Sequence, residues 1–160
     1  MGVLTKPTAN WALRRATRED LSQLQELLLE LFGRVEPDFL PDGDRIRRGI
    51  LLFFEHPQRG AIFCAEWEKR CVGMATGQLL FSTGVGGLSL LVEDVIVSQR
   101  FRGHGIGSAL LVALEDWARA KGVRRLLVGR IRYFIYYRVI SGKVEVLAVW
   151  HVSRGRQPSL

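Results

Sequence analysis

The chain has 160 residues, 48% of them apolar, with a formal net charge of +7 and a pI near 10.1. Such a chain is expected to form a single domain over residues 1–160 and to bury about 70% of its unfolded surface, which excludes a disordered protein. No apolar run reaches the ~20 residues of a membrane span, and Met1 to Asn10 reads as a loose lead-in without a signal-peptide pattern, so no membrane partner is expected. Cys64 and Cys71 have no metal-ligand spacing and build no disulfide framework, which points to a reducing, cytoplasmic setting and to no metal. The basic balance favours anionic partners such as a phosphorylated coenzyme, nucleic acid or an acidic protein. Most of the arginines are scattered and read as solvated surface, with concentrations at Arg124–Arg138 and at Arg154 and Arg156.

Trp11 to Ala16 alternates and predicts a first strand. Thr17 caps the following helix, with Asp20 three residues on in an acidic capping box. Leu21, Leu24, Leu27, Leu28, Leu31 and Phe32 give a helical apolar stripe that Gly33 is expected to stop. Pro37 and Pro41 mark a loop. Asp42 or Asp44 then starts a second helix through about Glu55, its apolar side made of Ile46, Ile50, Leu51, Phe53 and Phe54, and His56-Pro57 ends it. Ala61–Glu68 and Cys71–Phe81 predict a hairpin around Lys69-Arg70, with Gly73 and Gly77 marking a possible bulge in its second strand. Thr83 to Gly87 is a turn into the next strand.

The stretch from Leu91 to Lys121 reads as strand, glycine-rich turn and helix. Gly103, Gly105 and Gly107 stand at alternate positions ahead of a helix whose buried stripe is Ile106, Ala109, Leu110, Ala113, Leu114, Trp117 and Ala118. A glycine-rich turn entering a helix exposes several backbone N–H groups at the positive end of the helix dipole, a site suited to a pyrophosphate. Arg102 adds a side-chain charge. A Rossmann turn would want an acid about twenty residues on, where Arg124 and Arg125 stand, and a P-loop would want Gly-Lys-Ser/Thr.

The full pattern, Arg102-x-x-Gly105-x-Gly107 behind a Glu93-Asp94-x-x-Val97 strand, resembles the R/Q-x-x-G-x-G/A signature of the GNAT superfamily of N-acetyltransferases, from about Trp11 to about Leu126. The element order agrees, with Val123–Val128 as a fifth strand. The resemblance implies an α+β fold, an α/β sandwich with a mixed, mostly antiparallel twisted sheet flanked by helices and with splayed parallel central strands. It implies acetyl-CoA as cosubstrate, held by Arg102, Gly103, His104, Gly105, Ile106, Gly107 and Ser108 at the pyrophosphate and by the strand backbone at Val95, Ile96 and Val97 along the pantetheine arm. His104, at a variable position of the motif, would face solvent. The acceptor would be a primary amine of a small molecule or a protein. Glu93 is the expected general base for direct attack and Asp94 the runner-up, because a regular strand turns Asp94 to the opposite face unless a bulge intervenes.

Beyond Val128 the family's usual ending, with a Tyr-bearing helix that supplies a general acid, is absent. Gly129-Arg-Ile-Arg-Tyr-Phe-Ile-Tyr-Tyr-Arg-Val139, a Ser141-Gly142 turn and Lys143–His151 predict an atypical C-terminal β-hairpin, with residues 155–160 as a loose tail. Residues 128–154 resemble the C-terminal hairpin of RelE/ParE-type toxins. That likeness sets a second reading beside the first, a toxin or binding module acting on ribosome, RNA or gyrase through this hairpin. Nucleic acid is the disfavoured partner under the leading reading. A third reading is a coenzyme A-binding GNAT fold without turnover. An exposed strand edge on the hairpin would allow a homodimer.

Overall fold

The computed structural model describes residues 10–35, 42–123, 125–128, 133–140 and 143–151, with the side chains described up to Gly33 and from Asp42 to Val123. The elements are β1 (Trp11–Arg15), a 3-10 turn (Arg18–Asp20), α1 (Leu21–Val35), α2 (Gly43–Glu55), β2 (Gly60–Trp67), β3 (Arg70–Ser82), β4 (Gly87–Val97), a second 3-10 turn (Gln99–Phe101), α3 (Ile106–Arg119), β5 (Arg125–Val128), β6 (Tyr133–Ile140) and β7 (Lys143–His151). Five strands form one sheet in the order β1-β2-β3-β4-β5, antiparallel through β4, with β5 parallel to β4. β6 and β7 form a separate antiparallel ribbon. This is the mixed α+β sandwich expected from the sequence.

Strand alternation divides the core into two layers. Ile62, Cys64, Met74 and Ile96 face α1 and α2, where they meet Leu24, Leu27, Leu28, Phe32, Ile46 and Ile50. Ala61, Ala65, Val72, Ala75, Leu90 and Val92 face α3, where they meet Ile106, Leu110, Leu114 and Ala118. Gly73 and Gly77 set how closely α3 approaches. A Cβ on Gly77 would stand 2.8 Å from Leu114 Cδ2 and 2.9 Å from Leu90 Cδ1, and one on Gly73 would stand 3.1 Å from Ile106 Cγ2.

Three local expectations are corrected. Gly33 does not stop α1, which continues to Val35. A glycine costs a helix about 1 kcal/mol, too little to end one whose apolar face is already packed. The β2–β3 turn is Glu68-Lys69 rather than Lys69-Arg70, and both residues have positive φ (48° and 65°). Two left-handed residues give the primed turn whose twist matches a two-residue hairpin. β4 starts at Gly87 instead of Leu91, paired to the end of β3. The lead-in before Asn10, the loop at Pro37 and Pro41, the Ser141-Gly142 turn, the residues of the basic segment at 124, 129–132, 154 and 156, and the tail at 155–160 lie outside the described residues.

A buried polar knot ties β1, β2 and β3 to the start of α1. Asp20 accepts two 2.7 Å hydrogen bonds from the Arg14 guanidinium and one of 2.8 Å from Thr17 N–H, completing the expected cap. Arg14 Nε donates to Glu66 at 2.8 Å. The Arg14 hydrogen bonds hold the Asp20 carboxyl at a pKa of about 2. Asp20, Cys64 and Cys71 bring their donor atoms within 4.8 Å of one another, a convergence the spacing did not show. Both Asp20 oxygens already carry Arg14, so the knot reads as an ion-pair network. The Cys71 hydrogen bond lowers the Cys64 thiol, while that bond and burial raise Cys71. Among the described residues no helix is long and apolar enough to cross a membrane.

Candidate active site

β4 carries one residue more than β3 between two stretches of regular pairing. Ala75 pairs with Val95 and Gly77 with Val92, so Thr76 alone opposes Glu93 and Asp94. This is a β-bulge, and its effect on side-chain direction is visible in the core. Leu90 and Val92 face α3 before it, and Val95 and Val97 face α3 after it. The even-to-odd switch sends both Glu93 and Asp94 to the α1–α2 side, where both line one cleft. The bulge named as the exception to regular alternation is therefore present, and it puts Asp94 on the same face as Glu93. Thr76, itself buried, closes the bulge by accepting the Asp94 N–H at 3.0 Å. Gln78 Nε2 donates to Glu93 Oε2 at 3.0 Å.

The cleft measures about 510 Å³, within the range of small-molecule sites. Its apolar wall comes from Leu28 and Phe32 of α1 and from Ile50 and Phe53 of α2. Its cationic side comes from Arg45 and Arg59, with His56 beside them. Sequence reasoning missed these residues and also Thr76 and Gln78. The last two did leave a signal, as polar residues two apart on the same face of an otherwise apolar strand.

Among the described residues the pairing of β4 with β5 runs from Ser89 and Arg125 to Val92 and Val128, with Val92 the residue before the carboxylates. β4 itself runs on to Val97, and among the described residues no strand pairs with that last stretch on the β5 side. Ser98 N–H reaches Val72 O on β3 at 2.8 Å. Since backbone polar groups alternate sides along a strand, those of Ile96 point to β3 and those of Val95 and Val97 point to the open edge. The Val95 and Val97 side chains pack toward α3 and the buried Ile96 side chain toward the opposite layer, so what they present along that edge is backbone, with Val97 O accepting from Arg102.

The glycine turn sits at the end of that edge. Gly103 and Gly105 have φ of +80° and +77°, and Gly105 is the N-cap of α3. Nothing lies within 4 Å of a Cβ built on either, so their glycine character serves conformation, and the space before them stays open. Ala109 N–H is bonded to Gly105 O, while the N–H groups of Ile106, Gly107 and Ser108 precede the first intrahelical acceptor. The Ile106 side chain is core, which leaves its N–H for the turn, and Ser108 is exposed. Arg102 is exposed, its Nε donating to Val97 O at 3.0 Å. His104 is also exposed, as expected, but its Nδ1 lies 2.9 Å from Arg102 O and its ring meets Trp67 edge-on at 6.3 Å. Trp67 also packs on Phe101 at 5.4 Å, fixing the turn to β2.

The bulged β4 thus brings two adjacent carboxylates into one cleft and leads into a glycine turn at the N-terminus of α3. The profile of the "Acetyltransferase (GNAT) family" matches residues 21–149, and the chain belongs to that family. The match extends through β6 and most of β7. A 38-residue stretch is 55% identical to mouse (Mus musculus) N-alpha-acetyltransferase 80, covering 24% of this chain and 12% of that protein. A 68-residue stretch is 32% identical to the glucosamine 6-phosphate N-acetyltransferase of Trypanosoma brucei brucei, covering 42% of this chain and 46% of that enzyme. The chain thus spans less than half the length of these curated relatives. Among solved structures, an integron cassette protein from the mobile metagenome of Cole Harbour Salt Marsh is 31% identical, with a TM-score of 0.67, over 73% of this chain and 76% of that one.

Proposed function

We propose that the chain is an acetyl-CoA-dependent N-acetyltransferase acting on a primary amine, with the acceptor in the β4-bulge cleft and the cosubstrate along the open edge of β4. The observation that carries this reading is the bulge, which aims two carboxylates into the cleft just beyond the Val92–Val128 pair. The residues present fit the cosubstrate: the turn from Arg102 to Ser108 offers an open, N–H-rich anion cradle, and among the described residues no strand pairs with Val95 on the β5 side. The family resemblance and the named activities of its relatives support the same assignment.

Acetyl-CoA supplies an acetyl group activated as a thioester, and the chain's own residues do the rest. Glu93 accepts the proton that the acceptor ammonium must lose before its nitrogen is nucleophilic. Gln78 orients the Glu93 carboxylate through its 3.0 Å hydrogen bond. Asp94 lies on the same wall and holds the cationic acceptor or shares the base role. The Val95 N–H stabilises charge developing on the carbonyl oxygen. Tyr133, Tyr136 and Tyr137 follow no motif that would make one of them the general acid, and thiolate protonation is assigned to water.

Calorimetric titration with acetyl-CoA, on the native chain and on Gly105→Glu, tests the cosubstrate site. Binding that the substitution abolishes supports it. A thiol-release assay over a panel of amines, with Glu93→Gln as control, tests the base. We expect kcat to fall about 10²- to 10⁴-fold with acetyl-CoA affinity unchanged. A folded native chain that binds no acetyl-CoA would sink the enzyme reading and move attention to the β6–β7 ribbon and a macromolecular target.

A further inference from the structure

The cleft is electrostatically two-sided. Glu93 and Asp94 lie on β4, while Arg59 enters from the residue before β2 and Arg45 from the first turn of α2. Gly60 pairs with Gln78 and Leu79 with Leu90, so Arg59 lies two strands across the sheet and three residues along it from Glu93, roughly 14 Å between backbones. Neither arginine has an ion-pair partner among the described residues, although Arg14, Arg18, Arg70 and Arg119 each do. His56 adds a third polar group on their side of the cleft. Two guanidinium groups without an ion-pair partner among the described residues repel a polycationic acceptor and favour an oxyanion, which guanidinium recognises through paired N–H donors.

Building on the acetyltransferase reading, we propose that the acceptor is a small amine that also carries an oxyanion, a phosphate or a carboxylate. Its oxyanion is bound by Arg45 and Arg59, and its amino group lies at Glu93 and Asp94. The apolar wall of Phe32 and Phe53 packs the carbon frame between the two ends. A cleft of about 510 Å³ accommodates a monosaccharide-sized molecule rather than a folded protein segment.

Two matched pairs test this by calorimetry, glucosamine 6-phosphate with glucosamine and 4-aminobutanoate with 4-aminobutanamide. We expect the anionic member of at least one pair to bind 10-fold or more tightly than its neutral partner. The pair that shows the preference identifies the oxyanion. Arg45→Gln combined with Arg59→Gln should erase the preference and leave the neutral amine's Kd unchanged. Equal binding within both pairs, no binding by either anionic member, or a preference that survives the double variant overturns the proposal. The readout needs no turnover. An oxyanion preference without acetyl-CoA binding would refute only the enzyme reading, and acetyl-CoA binding without the preference would refute only this one.

Discussion

Asp20→Asn removes one charge from the knot that joins β1 to α1 and leaves its shape in place. The native carboxyl is held at about 2, against an ordinary value of 3.8, because the Arg14 hydrogen bonds outweigh its burial. A gap of that size corresponds to on the order of 2 kcal/mol of stability at neutral pH. The folded value lies below the unfolded one, so this contribution is fully present above about pH 4 and is lost as pH falls toward 2, with about half gone near pH 3. The variant lacks the titrating group. Urea unfolding followed by tryptophan fluorescence should therefore show it about 2 kcal/mol less stable at pH 7, a midpoint about 1 M lower. The gap should narrow as pH falls from 5 to 3. A loss below about 0.5 kcal/mol at pH 7, or a gap constant down to pH 3, would refute the assignment of that energy to the Arg14 contact.

Gly77→Val forces a branched side chain into the 2.8 Å and 2.9 Å approaches of Leu114 and Leu90; we expect a loss of about 1–3 kcal/mol in urea unfolding, and an unchanged midpoint would show that α3 retreats freely. Thr76→Val keeps the shape of the bulge but deprives the Asp94 N–H of its acceptor. The expected cost is about 1–3 kcal/mol, with kcat reduced more than KM is raised, and a variant of native stability would place water in the hydroxyl's role.

Much of the scaffold was legible because the signals were local. The α3 stripe, the Thr17–Asp20 cap and the Arg102–Gly107 turn each depend on residues a few positions apart, and the structure places them as their spacing requires. The cleft was not legible, because Arg45, Arg59, Gln78 and Glu93 come from four separate parts of the chain and meet only through sheet register. Gly73 and Gly77 were read as weakening a strand and marking a bulge, and β3 does carry an extra residue, Val72, beside Gly73. Their function is close packing against Ile106 and Leu114, which no reading of β3 alone reveals. The bulge itself left a trace in the apolar positions, Leu90 and Val92 and then Val95 and Val97, but the reason for the extra residue shows only when Thr76 is seen opposite it.

That extra residue separates two demands that a regular strand cannot meet together. A regular β4 keeping Leu90 and Val92 toward α3 would send one residue of the Glu93-Asp94 pair to the cleft and the other into the α3 layer. The bulge keeps the apolar residues on α3 and gives the cleft a second carboxylate. Deleting Asp94 should regularise the ladder, pairing Thr76 with Glu93 and leaving Val95 and Val97 still facing α3. The bulge's lost hydrogen bond to Thr76 is then offset by regular pairing, so stability should stay within about 1 kcal/mol of native. If Glu93 alone is the base, this deletion variant retains acetyl transfer with a raised KM for the amine. If turnover disappears while urea unfolding and acetyl-CoA affinity remain native, Asp94 carries the proton and the order of the two carboxylates is reversed.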